Sequence, residues 1–177
     1  MRNVWIALLL GSVSLYACSQ SPAENSTLVQ QQVQDAYLKA TSGIDAPTIR
    51  ADAVLSHLQD GSLILVDVRQ ETEMAVSQIP GALSLDEFKQ KYQANGPPKD
   101  KTVVAYCTIG YRSGKFAEKL TAQGIAVRNL EGGILAWVGS HGPLVHSDSA
   151  GVTAATTTVH VYGKEWNLLP PGYQGVW

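Results

Sequence analysis

Residues 102–114 read TVVAYCTIGYRSG, and they carry the clearest structural pattern in the chain. Its first five residues form a continuous β-branched and apolar run, which predicts a strand buried on both faces of a sheet. Residues 113–123 have the apolar spacing of an amphipathic helix, and Gly124 stops it. The stretch therefore predicts a strand, a short glycine-containing loop and a helix in immediate succession.

The loop between these two elements has the composition of an anion-binding site around Cys107. Its backbone N–H groups would converge on one point, and the helix N-terminus and a guanidinium would add positive charge. A cysteine thiolate is stabilised in such a cradle and becomes a nucleophile near neutral pH. A buried structural cysteine is the alternative. The candidate substrate-binding residues are Thr108, Ile109, Gly110, Tyr111, Arg112 and Ser113.

Strand-like and helix-like segments alternate along the central part of the chain. We expect strands over residues 63–67, 82–85, 102–106 and 125–129, and helices over residues 28–41, 50–59, 71–78, 86–92 and 113–123. This alternation predicts an α/β fold with a mostly parallel central sheet and helices on both faces. The carboxyl ends of parallel strands meet at one rim, so Asp67, Arg69, Cys107 and residues 131–133 should converge there.

Four separated motifs resemble those of the rhodanese-like, or sulfurtransferase, family. They are V-D-V-R at 66–69, Q-I-P-G-A at 78–82, the loop at 107–112, and L-E-G-G followed by A-W at 130–137. Gln78 stands where the family usually has histidine. The motifs lie in the family's order and spacing within residues 47–140. The resemblance implies one rhodanese-like domain with a three-layer fold.

The resemblance also implies a reaction, the transfer of a sulfane sulfur. Cys107 would attack a small sulfur-containing anion such as thiosulfate, hold the sulfur as a persulfide and pass it to cyanide or a thiol. Arg112 and the loop amides would bind the anionic groups. Asp67 and Arg69 would support the site rather than react. No cofactor is implied.

Two other functions are compatible with a Cys–Arg loop. Cysteine phosphatases have five residues between the cysteine and the arginine of this loop, whereas four residues separate Cys107 from Arg112. The shorter loop would form an anion-binding site too small for a phosphoryl group. A membrane-tethered binding or redox-sensing module of the same fold, without turnover, is the second alternative.

Composition excludes several classes of function. The 177 residues carry a formal net charge of -2, so no basic field for nucleic acid is present. The four histidines are scattered, and the two cysteines form no cluster with zinc spacing, so we expect no metal site.

The N-terminus has the pattern of a bacterial lipoprotein signal peptide over residues 1–17. A positive start precedes a 13-residue apolar stretch, and L-Y-A-C at 15–18 resembles a lipobox with Cys18 as the lipidated residue. Cleavage near Ala23 without lipidation is the alternative. We expect an exported, periplasmic protein, lipid-anchored to a membrane (the outer one in a Gram-negative host). Residues 18–46 would form a low-complexity tether, which ends at Thr27, followed by the helix expected over residues 28–41.

Residues 141–177 follow the family motifs as a C-terminal extension. We expect an extra edge strand over residues 156–162 and an apolar cap around Trp166, both packed on the domain. A partner-binding tail is the alternative. We interpret His160 as structural.

Overall fold

The computed structural model describes residues 22–147 and 153–177, and its centre is a five-stranded parallel sheet. The strand order is β1-β5-β4-β2-β3, with every neighbouring pair parallel. The strands are β1 (Thr48–Ile49), β2 (Leu63–Asp67), β3 (Leu83–Ser84), β4 (Thr102–Tyr106) and β5 (Val127–Leu130). The predicted α/β fold with a parallel sheet is therefore confirmed.

Helices cover both faces of this sheet. They are α1 (Pro22–Ala40), α2 (Ala51–Ser56), α3 (Glu71–Val76), α4 (Leu85–Tyr92), α5 (Tyr111–Ala122) and α6 (Gly133–Gly139). On one face, Leu65 and Val104 share a buried cluster with residues of α1, α2 and α6. On the other face, Val66 and Val103 pack with residues of α4 and α5. Adjacent strand residues point to opposite faces, which explains why both central strands are continuously apolar.

Two helices begin earlier than the sequence pattern indicated. Helix α1 begins at Pro22, so part of the expected tether is helical; proline suits the first helical position because its missing N–H has no partner there. Helix α5 begins at Tyr111, directly after Gly110 in the left-handed conformation (φ +106°). Arg112 and Ser113 therefore lie in the first turn of the helix that follows the cysteine loop.

The C-terminal extension packs on the domain, but it does not extend the central sheet. Strands β6 (Val145–Ser147) and β7 (Thr153–Ala155) form an antiparallel pair, whereas β8 (Thr158–His160) and β9 (Gln174–Val176) form a parallel pair. The expected edge strand is thus β8, and its partner lies within the extension. Val159 and Val161 are fully buried in the same cluster as residues of α1 and α6. The extension therefore helps the helices to cover this face of the central sheet.

The predicted leader, including Cys18, lies outside the described residues. Of the helices that the structure describes, none combines the length and apolar character needed to cross a membrane.

Candidate active site

Cys107 lies at the carboxyl end of the central strand β4, where its loop leads into α5. The residue is 1% exposed, and the Gly110 N–H donates a hydrogen bond to its Sγ at 3.2 Å. The first turn of α5 follows at once, so the positive end of its dipole is directed toward the sulfur. This arrangement favours negative charge on Sγ and on any sulfur bonded to it.

A polar pair beneath the loop holds its backbone in place. The Ser113 hydroxyl lies 3.5 Å from Sγ but only 2.7 Å from Asn129 Oδ1, so we assign its proton to the shorter contact. Asn129 Nδ2 donates to the Gly110 carbonyl at 3.0 Å. Both side chains are buried, and this network fixes the glycine whose N–H faces the sulfur.

Arg112 forms a bidentate ion pair with a residue that sequence reasoning missed, Glu73 of α3. Its terminal nitrogens donate to the two carboxylate oxygens at 2.7 and 2.8 Å, and one of them also reaches Thr108 Oγ1 at 3.2 Å. The carboxylate is almost fully buried, whereas the guanidinium is about one-third exposed. The guanidinium of Arg112 thus binds a carboxylate of the protein itself. A direct contact between Arg112 and a substrate oxyanion stays a prediction.

The ion pair keeps both partners charged. Burial of Glu73 opposes ionisation, but hydrogen bonds from Arg112 and from the Gln70 N–H outweigh it and lower the pKa of the carboxyl. The hydrogen bonds to Glu73 raise the pKa of Arg112, against a smaller opposing effect of burial. The pair is therefore close to neutral as a unit, and much of the field of Arg112 is compensated.

The start of α6 supports the loop from the opposite side. The Ile134 N–H donates to the Cys107 carbonyl at 2.9 Å, and the Leu135 N–H donates to the Thr108 carbonyl at 3.3 Å. A Cβ on Gly133 (φ +56°) would overlap the Cys107 carbonyl oxygen and lie 2.6 Å from that of Thr108. The first turn of α6, which begins at the last glycine of the L-E-G-G motif, thus binds the carbonyls of Cys107 and Thr108.

Asp67 and Arg69 form a second buried ion pair that braces a neighbouring turn. The Arg69 Nε and Nη2 atoms donate to Asp67 at 2.9 and 2.7 Å, and Nη2 also donates to the Ser77 carbonyl at 2.6 Å. The hydrogen bonds that Arg69 donates to Asp67, together with the negative charge of that carboxylate, outweigh the effect of burial and raise the pKa of Arg69. This pair fixes the segment before Ile79-Pro80 at the same rim of the sheet, and the supporting role proposed for it at the cysteine loop stays a prediction.

The C-terminal extension reaches the cysteine loop. The Tyr162 ring lies 5.2 Å from the Arg112 guanidinium, and His160 Nδ1 lies 4.0 Å from Glu73 Oε1. A pocket of about 290 Å³ opens over the loop and is lined by Ala40, Cys107, Thr108, Ile109, Tyr111, Arg112, Tyr162 and Trp166. Four parts of the chain therefore line one pocket: α1, the cysteine loop, the first turn of α5 and the extension.

Sequence reasoning missed Glu73, Asn129, Tyr162 and Trp166 as parts of this site. A capping box joins Gln70 and Glu73, and this pattern could have placed Glu73 at the start of α3, but not beside Arg112. Across the residues that the structure describes, no group of three or more His, Cys, Asp or Glu could hold a metal ion.

Comparison with known proteins finds a matching family and curated relatives. The family described as "Rhodanese-like domain" matches residues 50–140. A sulfurtransferase of Allochromatium vinosum is 40% identical over 84 residues, which are 47% of this chain and 78% of that protein. These similarities support a sulfurtransferase-type enzyme in general, with a sulfur donor and an acceptor.

Two further similarities are more limited. A tRNA uridine(34) hydroxylase of Xanthomonas campestris is 35% identical over 105 residues, which are 52% of this chain but 42% of that protein. A thiosulfate sulfurtransferase structure from Pseudomonas aeruginosa superposes with a TM-score of 0.51 at 24% identity, over 59% of this chain and 20% of that one. The superposition shows the fold alone.

Proposed function

Because this chain belongs to the rhodanese-like domain family, we propose that it transfers a sulfane sulfur through a persulfide on Cys107. The observation that carries this proposal is the environment of one atom. Cys107 Sγ accepts a hydrogen bond from the Gly110 N–H and lies at the N-terminal end of α5, in the wall of an open pocket. Structural cysteines in apolar surroundings lack this combination of amide donor and helix terminus.

The proposed reaction has two half-steps. The Cys107 thiolate attacks the outer sulfur of a donor such as thiosulfate, a sulfur–sulfur bond forms, and the bond to the donor breaks. Sulfite leaves with that electron pair, and the enzyme keeps a persulfide anion. A thiolate or cyanide then attacks the outer sulfur, and the electron pair of the persulfide bond returns to Cys107. No general base is needed, since the nucleophile reacts as an anion.

Mass spectrometry of the intact protein tests this mechanism. Incubation with thiosulfate should add the mass of one sulfur atom to Cys107, and cyanide should remove it with release of thiocyanate. Cys107→Ser should form no adduct and transfer no sulfur while it stays folded, because a hydroxyl remains protonated at neutral pH. Ser42→Ala is the matched control at an exposed position, and it should behave like the parent.

The binding or redox-sensing module makes the opposite prediction. A protein without turnover should give no sulfur adduct with thiosulfate or with an organic thiosulfonate, and no thiocyanate. That result would contradict the proposed sulfur transfer and would favour a binding or redox-sensing role for this domain.

A further inference from the structure

The pocket over Cys107 has walls that the rhodanese-like segment does not supply. Tyr162 and Trp166 come from the extension, and Ala40 comes from α1, whereas the family match covers residues 50–140. Tyr111 at the start of α5 and Tyr162 of the extension are each at least half exposed, so their ring surfaces are accessible from the pocket mouth. The pocket over Cys107 is therefore lined by three aromatic side chains, those of Tyr111, Tyr162 and Trp166.

Tyr162 is held in place against a conformational preference. Its φ is +69°, a left-handed conformation that a bulky side chain rarely adopts, and its N–H donates to His160 Nδ1 at 3.2 Å. Strained residues of this kind persist where their surroundings fix them, and they cluster at ligand sites. The ring of Tyr162 lies 5.2 Å from the Arg112 guanidinium at the pocket, and the preceding residue, Val161, is fully buried.

The charges at the pocket favour one class of donor. Arg112 is the cation among the lining residues, and Glu73 engages it through both terminal nitrogens. An inorganic dianion would find mainly the loop amides, and the apolar walls would contribute nothing to its binding. A donor with a single negative charge and an apolar group would use both features.

We propose that the extension selects sulfur donors that carry an aromatic group beside a monoanionic sulfane sulfur. An apolar cavity of about 150 Å³ holds one benzene molecule, so the pocket of about 290 Å³ has room for one ring and its reactive group. This inference rests on the proposed function, because it names the substrate class of the same site. In the step, the Cys107 thiolate attacks the outer sulfur of an arenethiosulfonate, and the arenesulfinate leaves with the electron pair.

The test compares two donors of equal charge, benzenethiosulfonate and methanethiosulfonate, with cyanide as the acceptor. The ratio of their kcat/KM values is measured in the parent and in variants, so that the intrinsic difference in leaving ability cancels. Trp166→Ala and Tyr162→Ala should each lower the ratio at least fivefold, mainly by raising KM for the aromatic donor. Trp166→Phe should restore most of the ratio, because it restores a ring.

Trp177→Ala is the matched control, since this exposed tryptophan of the extension does not line the pocket. It should leave the ratio unchanged. Circular dichroism reports folding, and Tyr162→Ala carries the test if Trp166→Ala unfolds. An unchanged ratio in the folded variants would overturn the aromatic selection while sulfur transfer stands. Absence of transfer from both donors and from thiosulfate would overturn the proposed function and this inference with it.

Discussion

At the scale of single residues, the charge pair beside the nucleophile is the feature with the clearest measurable effect. Glu73 is almost fully buried and is neutralised by Arg112, so its charge is stable only while the pair is intact. Glu73→Gln keeps the shape but removes the charge, and the guanidinium loses its ionic partner. We expect the free energy of unfolding to fall by about 2 kcal/mol at pH 7, the value typical of a hydrogen bond to a charged group.

The same substitution should change how stability depends on pH. The pKa of Glu73 is lower in the folded chain than in the unfolded one, where it is about 4.3. The contribution of the charge is therefore complete above that value and is lost as pH falls through the lower, folded pKa. Urea unfolding from pH 7 to pH 3 should show the parent and Glu73→Gln converging below about pH 4.3.

The control is Asp86→Asn, which breaks the exposed pair with Lys89 and should change little at any pH. A difference between parent and Glu73→Gln that stays constant to pH 3 would contradict an ionised, paired Glu73.

At the scale of the elements, the contact between the cysteine loop and α6 depends on a glycine in the left-handed region. Gly133→Ala would push its Cβ into the carbonyl oxygens of Cys107 and Thr108, which would displace the loop. We expect kcat/KM for sulfur transfer to fall at least tenfold, about 1.4 kcal/mol of transition-state stabilisation.

Gly124→Ala is a matched control for this substitution. Gly124 also has a positive φ (+82°), but a Cβ there meets no atom within 4 Å. Both variants should lose roughly 1–2 kcal/mol of stability from the backbone conformation alone, and only Gly133→Ala should lose activity. Equal kcat/KM values for the two variants would show that the position of α6 does not matter to the loop.

The elements also show which parts of the structure a sequence can reveal. Leu63–Asp67 and Thr102–Tyr106 have the bounds that their continuous apolar runs predicted, because a strand buried on both faces leaves that pattern locally. The loop around Cys107 was predicted for the same reason, since its cysteine, glycine and arginine are adjacent. Glu73 was not predicted, because it lies 39 positions before Arg112 in the sequence and the two residues are brought together only by the order of the strands.

At the scale of the whole molecule, segments from both sides of the rhodanese-like segment complete the core. Gln30 of α1 donates to the Gly139 carbonyl at 2.7 Å, and Trp137 Nε1 donates to the Pro143 carbonyl at 2.9 Å. Val159 and Val161 are fully buried beside these helices. The sequence predicted that the extension packs on the domain, but the alternation of residues 156–162 does not specify which surface the strand covers.

A chain that ends at Ser140 should therefore be much less stable than the parent of residues 1–177. Each fully buried valine of the extension contributes about 1.5–3 kcal/mol, and domains are typically stable by only 5–15 kcal/mol. Thermal unfolding should show a lower midpoint or no cooperative transition, whereas a chain without the exposed Trp177 alone should match the parent. A truncated chain with the parent's midpoint would show that the extension is dispensable for folding.

The two outer strands of the sheet have a consequence for association between copies. β1 and β3 are only two residues long each, and β3 passes directly into α4, where the Glu87 N–H donates a hydrogen bond to the Ser84 hydroxyl. Exposed strand edges are the usual templates for aggregation by sheet extension, and short edges are a common protection against it. The apolar central strands, which would be hazardous at an edge, are thereby kept away from the strands of a second molecule.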